Sequence, residues 1–127
     1  MKKKFFTVKE ARQALPDLKD LIGKVVSVSN RLEEYRTELE NIAELASNNA
    51  GSPEATAYLE DLIVLQSYVT RVQQTGCVVK SLQDGLIDFP HLRDGREVYL
   101  CWKFGEDDIH FWHEVDAGFS GRTPLLE

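Results

Sequence analysis

No apolar run in this chain approaches the roughly 20 residues that a membrane span needs, so no membrane segment is expected. A secretory leader is not expected either. The opening MKKKFF is basic and then aromatic, but the polar TVKEARQ follows at once and leaves no apolar h-region. The strong catalytic signatures are missing: there is no Walker A loop, no G-x-G-x-x-G, no H-E-x-x-H, no G-x-S-x-G and no paired C-x-x-C. Cysteine is scarce. Cys77 and Cys101 stand far apart, and two reduced thiols in a cytoplasmic protein is the simple reading. Positive charge is in deficit. A net charge of −6 and a pI near 5.1 disfavour nucleic-acid binding, which depends on neutralising phosphates. The run Lys2-Lys3-Lys4 then reads as a solvated terminus.

What remains is ordinary for a soluble globular chain: 43% hydrophobic and 28% charged residues over 127 positions. That length predicts one domain, residues 1–127, able to bury a core without metals or disulfides. No linker divides it. A helical hairpin is expected over about 7–75 and a β region over about 77–124.

The helical half announces itself by capping and period. Thr7 is placed as an N-cap, and Glu10, three residues on, completes a capping box. A short helix is expected to about Leu15, where Pro16 either kinks it or begins the next helix. From there Leu18, Val25, Leu32, Leu39 and Ala46 fall seven apart, and Leu21, Val28, Tyr35 and Ile42 repeat the spacing offset by three. These are the a and d positions of a coiled-coil-like helix. The segment 47–53 is the clearest break, with Ser52 as a cap and Pro53 opening a second helix. In that helix Ala55, Leu62 and Val69 alternate with Tyr58, Leu65 and Val72 along a seam facing the first. The short connection makes the two antiparallel neighbours. Leu59, Ile63, Val64 and Tyr68 lie outside the seam and need a cover, either the sheet or the same surface of a second chain.

After Gly76, a helix-ending glycine, the pattern turns to strands. Residues 77–82 and 86–90 form one expected hairpin around Asp84-Gly85, stopped by Pro90, with 91–96 as a polar connector. A second hairpin is expected from 98–104 and 109–115, with 105–108 as its turn. A short turn there pairs Phe104 with Ile109 and places His113 among Val98, Leu100, Trp102, Phe104, Phe111 and Val115, alone on an apolar face. The fold class is α+β: a long antiparallel helical hairpin packed on a small antiparallel sheet of two hairpins. One face of that sheet should be buried and one wet.

The candidate site lies at the second hairpin. Ligand-binding candidates are Asp88, Arg96, Glu106, His113, Asp116 and Arg122. His113 would be a base or ligand, Asp88, Glu106 or Asp116 its acidic partner, and Arg96 or Arg122 the holder of an anionic substrate. A metal reading uses His113 and Asp116 with Glu97 opposite, although His113 and Asp116 point to opposite faces of a regular strand. The plainer reading is a core-edge histidine hydrogen-bonded to a carboxylate such as Asp88. Cys101 and His110 share a face and are a weaker nucleophile and base pair, with no third group to orient them.

Phe6-Thr7, Glu10-Ala11, Leu15-Pro16, the run 85–90 (GLIDFP), GREVYLCWKFGE and FWHEVDAGFSGRTPL together resemble an uncharacterised bacterial family catalogued only as a domain of unknown function. The resemblance covers nearly the whole chain. It implies a small cytoplasmic protein with a helical hairpin and a compact β region, and it brings no activity, substrate or catalytic residue. The functional expectation is a binding or assembly module that forms a homodimer through its helical hairpin, with no cofactor and no identified small-molecule ligand. The alternative is a small metal-binding protein or hydrolase-like enzyme, with a divalent metal or a His/carboxylate site at the carboxy-terminal hairpin.

Overall fold

The computed structural model describes residues 3–45 and 53–126, with backbone alone for 37–45. The expected break at 47–52, Ser52 as a cap, Lys2, and the side chains of Glu38, Leu39, Glu40, Ile42 and Ala46 therefore lie outside the described residues.

Helix α1 spans Val8–Leu45 and α2 spans Pro53–Gln74. The capping box is present in both directions. The Glu10 N–H donates to Thr7 Oγ1 at 3.0 Å, and the Thr7 N–H donates to Glu10 Oε1 at 2.9 Å. The helix does not end near Leu15 and Pro16 does not begin a new one: α1 runs through it. The proline removes one backbone donor, but Ala11, Leu15, Leu18 and Ile22 are all buried along one stripe. Packing of that stripe holds the turns on either side of the proline in register, so tertiary contact overrides the local penalty. Among the described residues no helix is long and apolar enough to cross a membrane.

The strands are β1 (Val78–Ser81), β2 (Leu86–Arg93), β3 (Arg96–Lys103), β4 (Phe111–Glu114) and β5 (Thr123–Pro124), with a 3₁₀ turn at Phe119–Gly121. They form one antiparallel five-stranded sheet in the order β1-β2-β3-β4-β5. The class is α+β. Ile87, Phe89, Leu100 and Trp102 present one sheet face to Phe6, Ala11, Leu15, Leu18 and Ile22. Farther along, Val25, Val28 and Leu32 of α1 meet Leu65 of α2, flanked by Tyr58, Tyr68 and Val69. The heptad column of α1 thus changes partner along its length, from the sheet at Leu18 to α2 at Val25.

Two connections differ from expectation. Pro90 does not stop β2, which runs on to Arg93 and returns through Asp94-Gly95. Beyond Asp88 the β2 edge has lost its β1 partner, so the N–H that proline lacks has no ladder position to fill there. The Pro90 carbonyl instead accepts the Phe6 N–H at 2.7 Å, which ties the start of the chain to the sheet. The β3–β4 connection is also longer than a tight turn. The Lys103 N–H donates to Glu106 Oε1 at 2.7 Å, Trp102 Nε1–H donates to the Glu106 carbonyl at 3.1 Å, and Ile109 leaves the ladder to plug the core. The register becomes Tyr99↔His113 and Cys101↔Phe111, one residue from the expected pairing, and every β4 side chain changes face.

Candidate functional site

The site grows out of the β2–β3 hairpin. Asp94 (φ 52) and Gly95 (φ 76) both adopt the left-handed conformation, as a two-residue Asp-Gly hairpin turn requires. That turn pairs Arg93 with Arg96, and counting back along both strands brings Asp88 opposite Cys101. The β3–β4 register then places His113 opposite Tyr99, on the same outer face as Cys101. This face was expected to be wet. Instead Asp88, Cys101, Tyr99 and His113 are all buried. The cover is made of side chains from the carboxy-terminal segment and a neighbouring strand. The Arg122 guanidinium lies 4.1 Å from the Phe111 ring and 4.5 Å from that of Phe119, and the Lys80 ammonium lies 4.8 Å from the Tyr99 ring. The Arg122 guanidinium also donates to Glu106 Oε1 at 2.7 Å.

Within this pocket of strands the geometry assigns the hydrogens. His113 Nδ1 lies 2.7 Å from the Glu114 carbonyl oxygen, which can only accept, so Nδ1 carries a hydrogen. His113 Nε2 lies 3.0 Å from Asp88 Oδ1, and the two share one further proton. The side chains of the pair are each 2% exposed. Cys101 joins them: its sulfur, a carboxylate oxygen of Asp88 and a His113 nitrogen all lie within 4.8 Å of one another. Burial pushes the Asp88 carboxyl above its ordinary value, against the hydrogen bond and charge of His113, a hydrogen bond with Cys101 and the charge of Lys80. Burial likewise pushes the Cys101 thiol up from 9.0 to about 12, reinforced by the Asp88 charge. Cys77, also buried, is raised from 9.0 to about 11 by desolvation.

These thiols make stability fall on the alkaline side. Each is protonated more tightly in the folded chain, so above about pH 9 the unfolded chain has released protons that the native chain keeps. The contribution is whole below the ordinary thiol range and disappears as pH climbs toward 11 and 12. Between pH 8 and pH 10.5 the Cys101 share is about 2 kcal/mol at about 1.4 kcal/mol per unit. Urea titrations under reducing conditions should show wild type losing that much more than Cys101→Ala over the interval. Equal losses would contradict the burial argument.

Of the residues singled out from sequence, the structure brings Asp88 and His113 together and adds Cys101. Glu106 and Arg122 form a second, half-buried pair beside them. The Glu106 carboxyl lies below its usual range: burial acts to raise it and is outweighed by the hydrogen bond from Arg122, the Lys103 N–H and the charges of Arg122 and His110. Arg96 is not in this group. It pairs with Glu114, with Nε 3.1 Å from Oε2. The expected metal set is not assembled. Glu97 binds Lys3 at 2.5 Å, Asp116 is exposed beyond β4, and among the described residues the cluster with convergent metal-ligating atoms is Asp88, Cys101 and His113. His110 pairs with Asp107 at 3.0 Å rather than with the buried Cys101. A polar connector at 91–96 would leave Cys101 and Asp88 on unrelated hairpins; in the structure β2 and β3 are continuous through it. Asp94-Gly95 between two apolar runs was the signal that places them side by side.

The cluster is buried. Surface cavities of about 430, 350 and 590 Å³ are lined by helix, amino-terminal and loop residues, and none includes Asp88, Cys101 or His113. A family model described as an uncharacterised conserved protein, DUF2203, matches residues 4–125. Neither a curated protein nor a solved structure matches the chain.

Proposed function

We propose that this chain, which belongs to the DUF2203 family of uncharacterised conserved proteins, is a homodimeric assembly module whose helical pair packs on that of a second copy. The observation that carries this reading is the outward row of α2. Leu59 is 59% and Ile63 69% exposed, with Leu62 and Val64 also exposed, whereas Leu65 and Val72 of the same helix are buried. Two apolar side chains one helical turn apart, left in water, forgo about 1.5–3 kcal/mol each if fully covered.

The chemistry of the face favours a second copy as its cover. The chain carries a net charge of −6, so most of its surface repels its like. The groove beside Ile63 is lined by Gln66, Ser67, Thr70, Gln74 and one charge, Arg71. Glu60 flanks the row, but the groove itself carries no carboxylate, so such a face can meet itself across a two-fold axis. Antiparallel packing of two α2 helices closes a four-helix arrangement, and an isologous contact of this kind is self-limiting.

Light scattering and sedimentation at micromolar concentration should give the mass of a dimer. Ile63→Asp enters a symmetric interface twice and should raise the dissociation constant roughly 1000-fold, from about 2 kcal/mol per copy. Its far-ultraviolet circular dichroism should stay that of wild type, because Ile63 makes no core contact in the single chain. A wild-type chain that is monomeric throughout the micromolar range overturns the reading.

A further inference from the structure

We propose that Asp88, Cys101 and His113 form a binding site for one thiophilic divalent cation of the zinc type. The site is in the sheet and does not depend on how the helices associate, so oligomer measurements and this proposal stand or fall separately.

Three observations point the same way. The donor atoms converge: one thiol sulfur, one carboxylate oxygen and one imidazole nitrogen within 4.8 Å of one another. In a tetrahedral zinc site, bonds of about 2.0–2.3 Å put neighbouring ligand atoms roughly 3.3–3.6 Å apart, so the trio is near the needed spacing. The histidine is also presented as a ligand. Its Nδ1–H is fixed by the Glu114 carbonyl and its Nε2 faces Asp88 Oδ1, the orientation that second-shell bonding imposes on metal-bound imidazole. Finally, the charges close. Thiolate, carboxylate and neutral imidazole carry −2 in total, which a divalent cation cancels inside a buried site. Without the cation, the same neutrality needs a hydrogen on Cys101 and another shared by Asp88 and His113.

The mixed sulfur, nitrogen and oxygen set selects the metal class. Magnesium and calcium prefer all-oxygen shells, whereas a thiolate with an imidazole suits zinc. Binding exchanges two protons for one cation: the Cys101 S–H bond and the proton between Asp88 and His113 are given up to solvent as metal–ligand bonds form. Arg122, whose guanidinium covers this face, is already neutralised by Glu106 at 2.7 Å. A three-residue set leaves one coordination position for a water molecule.

The test uses the full chain, purified without a polyhistidine tag, reduced, and stripped with a chelator. Titration with Co²⁺ should give one equivalent bound, a thiolate-to-cobalt charge-transfer band and the intense visible bands of a tetrahedral ion, all bleached by Zn²⁺. Calorimetry of Zn²⁺ binding in buffers of different ionisation enthalpy should report two protons released per cation. Asp88→Asn and Cys101→Ser keep the shape of the site. Cys101→Ser should abolish the charge-transfer band, and both should weaken Zn²⁺ binding by more than the ~10–100-fold that loss of a second-shell partner costs. Cys77→Ser should change neither, because that thiol is engaged with Thr75 at 3.2 Å. Absence of the charge-transfer band from the wild-type chain, or its survival in Cys101→Ser, overturns the proposal. So does wild-type Zn²⁺ affinity in folded Asp88→Asn.

Discussion

Asp88→Ala is expected to lower the unfolding free energy by about 3–5 kcal/mol, the cost of removing one member of a buried hydrogen-bonded pair. The carboxyl is enclosed on the outer sheet face with its partner 3.0 Å away, and both side chains are 2% exposed. Its loss leaves His113 Nε2 without its partner and opens a hole beside the buried Cys101. Asp88→Asn should cost much less, since an amide can still meet the imidazole nitrogen. The double change Asp88→Ala/His113→Ala decides the point. If the two residues stabilise the fold through each other, the double variant is milder than the sum of the single ones by roughly 0.5–3 kcal/mol. Urea titration in the presence of a chelator measures all four corners of the cycle. Strict additivity would show that the contact has no energetic meaning.

Gly85→Ala should be comparably damaging, at about 2–5 kcal/mol, for a different reason. Gly85 sits at φ +66, where a side chain costs about 1–2 kcal/mol. A Cβ there would also lie 2.6 Å from Phe104 Cβ, 2.8 Å from Val26 Cγ2 and 3.0 Å from Ile22 Cγ2. Overpacking of that kind adds about 1–3 kcal/mol. Gly95 separates the two contributions, because it has φ +76 but nothing within 4 Å of the added carbon. Gly95→Ala should therefore show the backbone cost alone, and the difference between the two variants in denaturant titrations is the packing cost. If both lose the same free energy, α1 does not press on the β1–β2 turn as closely as the distances require.

Much of this was legible in the chain. The capping box at Thr7 and Glu10 and the glycine at position 76 are local signals, and local chemistry decided them. The heptad period holds at Leu18, Val25, Val28 and Leu32 of α1, but in α2 Leu62, expected in the seam, is exposed and Tyr68, expected outside it, packs beside Leu65. Pro16 and Pro90 misled for one shared reason. A proline's penalty is a local quantity, and at both places neighbours that are distant in sequence decide the outcome: the sheet against α1 in one case, and in the other the Phe6 segment, which bonds the Pro90 carbonyl where β1 has ended. The register of β4 was lost by a single residue because Ile109 drops into the core while Glu106 caps Lys103, and no alternation rule contains that detour. His113 stands out in the sequence as a polar intruder with Asp88 as its plain partner, but strand alternation alone puts it on the inner face and the structure on the outer one. Cys101 entered the cluster only once β2 and β3 were joined through Asp94-Gly95. The arginine stacked between Phe111 and Phe119 depends on how the carboxy-terminal segment folds back, which no short-range pattern encodes.

The sheet is a simple meander in which every strand pairs with the strand next in the chain, and the two helices are sequential neighbours as well. Ladders of this kind close by short loops, whose ordering entropy is small. The distant partnerships join the amino-terminal segment and α1 to the sheet: the Phe6 N–H on the Pro90 carbonyl, the Arg12 guanidinium on the Ile109 carbonyl, and the apolar stripe from Ala11 to Ile22. Folding kinetics should therefore divide along that seam. Substitutions in the strand turns should slow the refolding limb of the chevron. Truncations of Leu15 or Leu18 should act mainly by hastening unfolding, as expected where helix docks onto sheet after the barrier has been crossed.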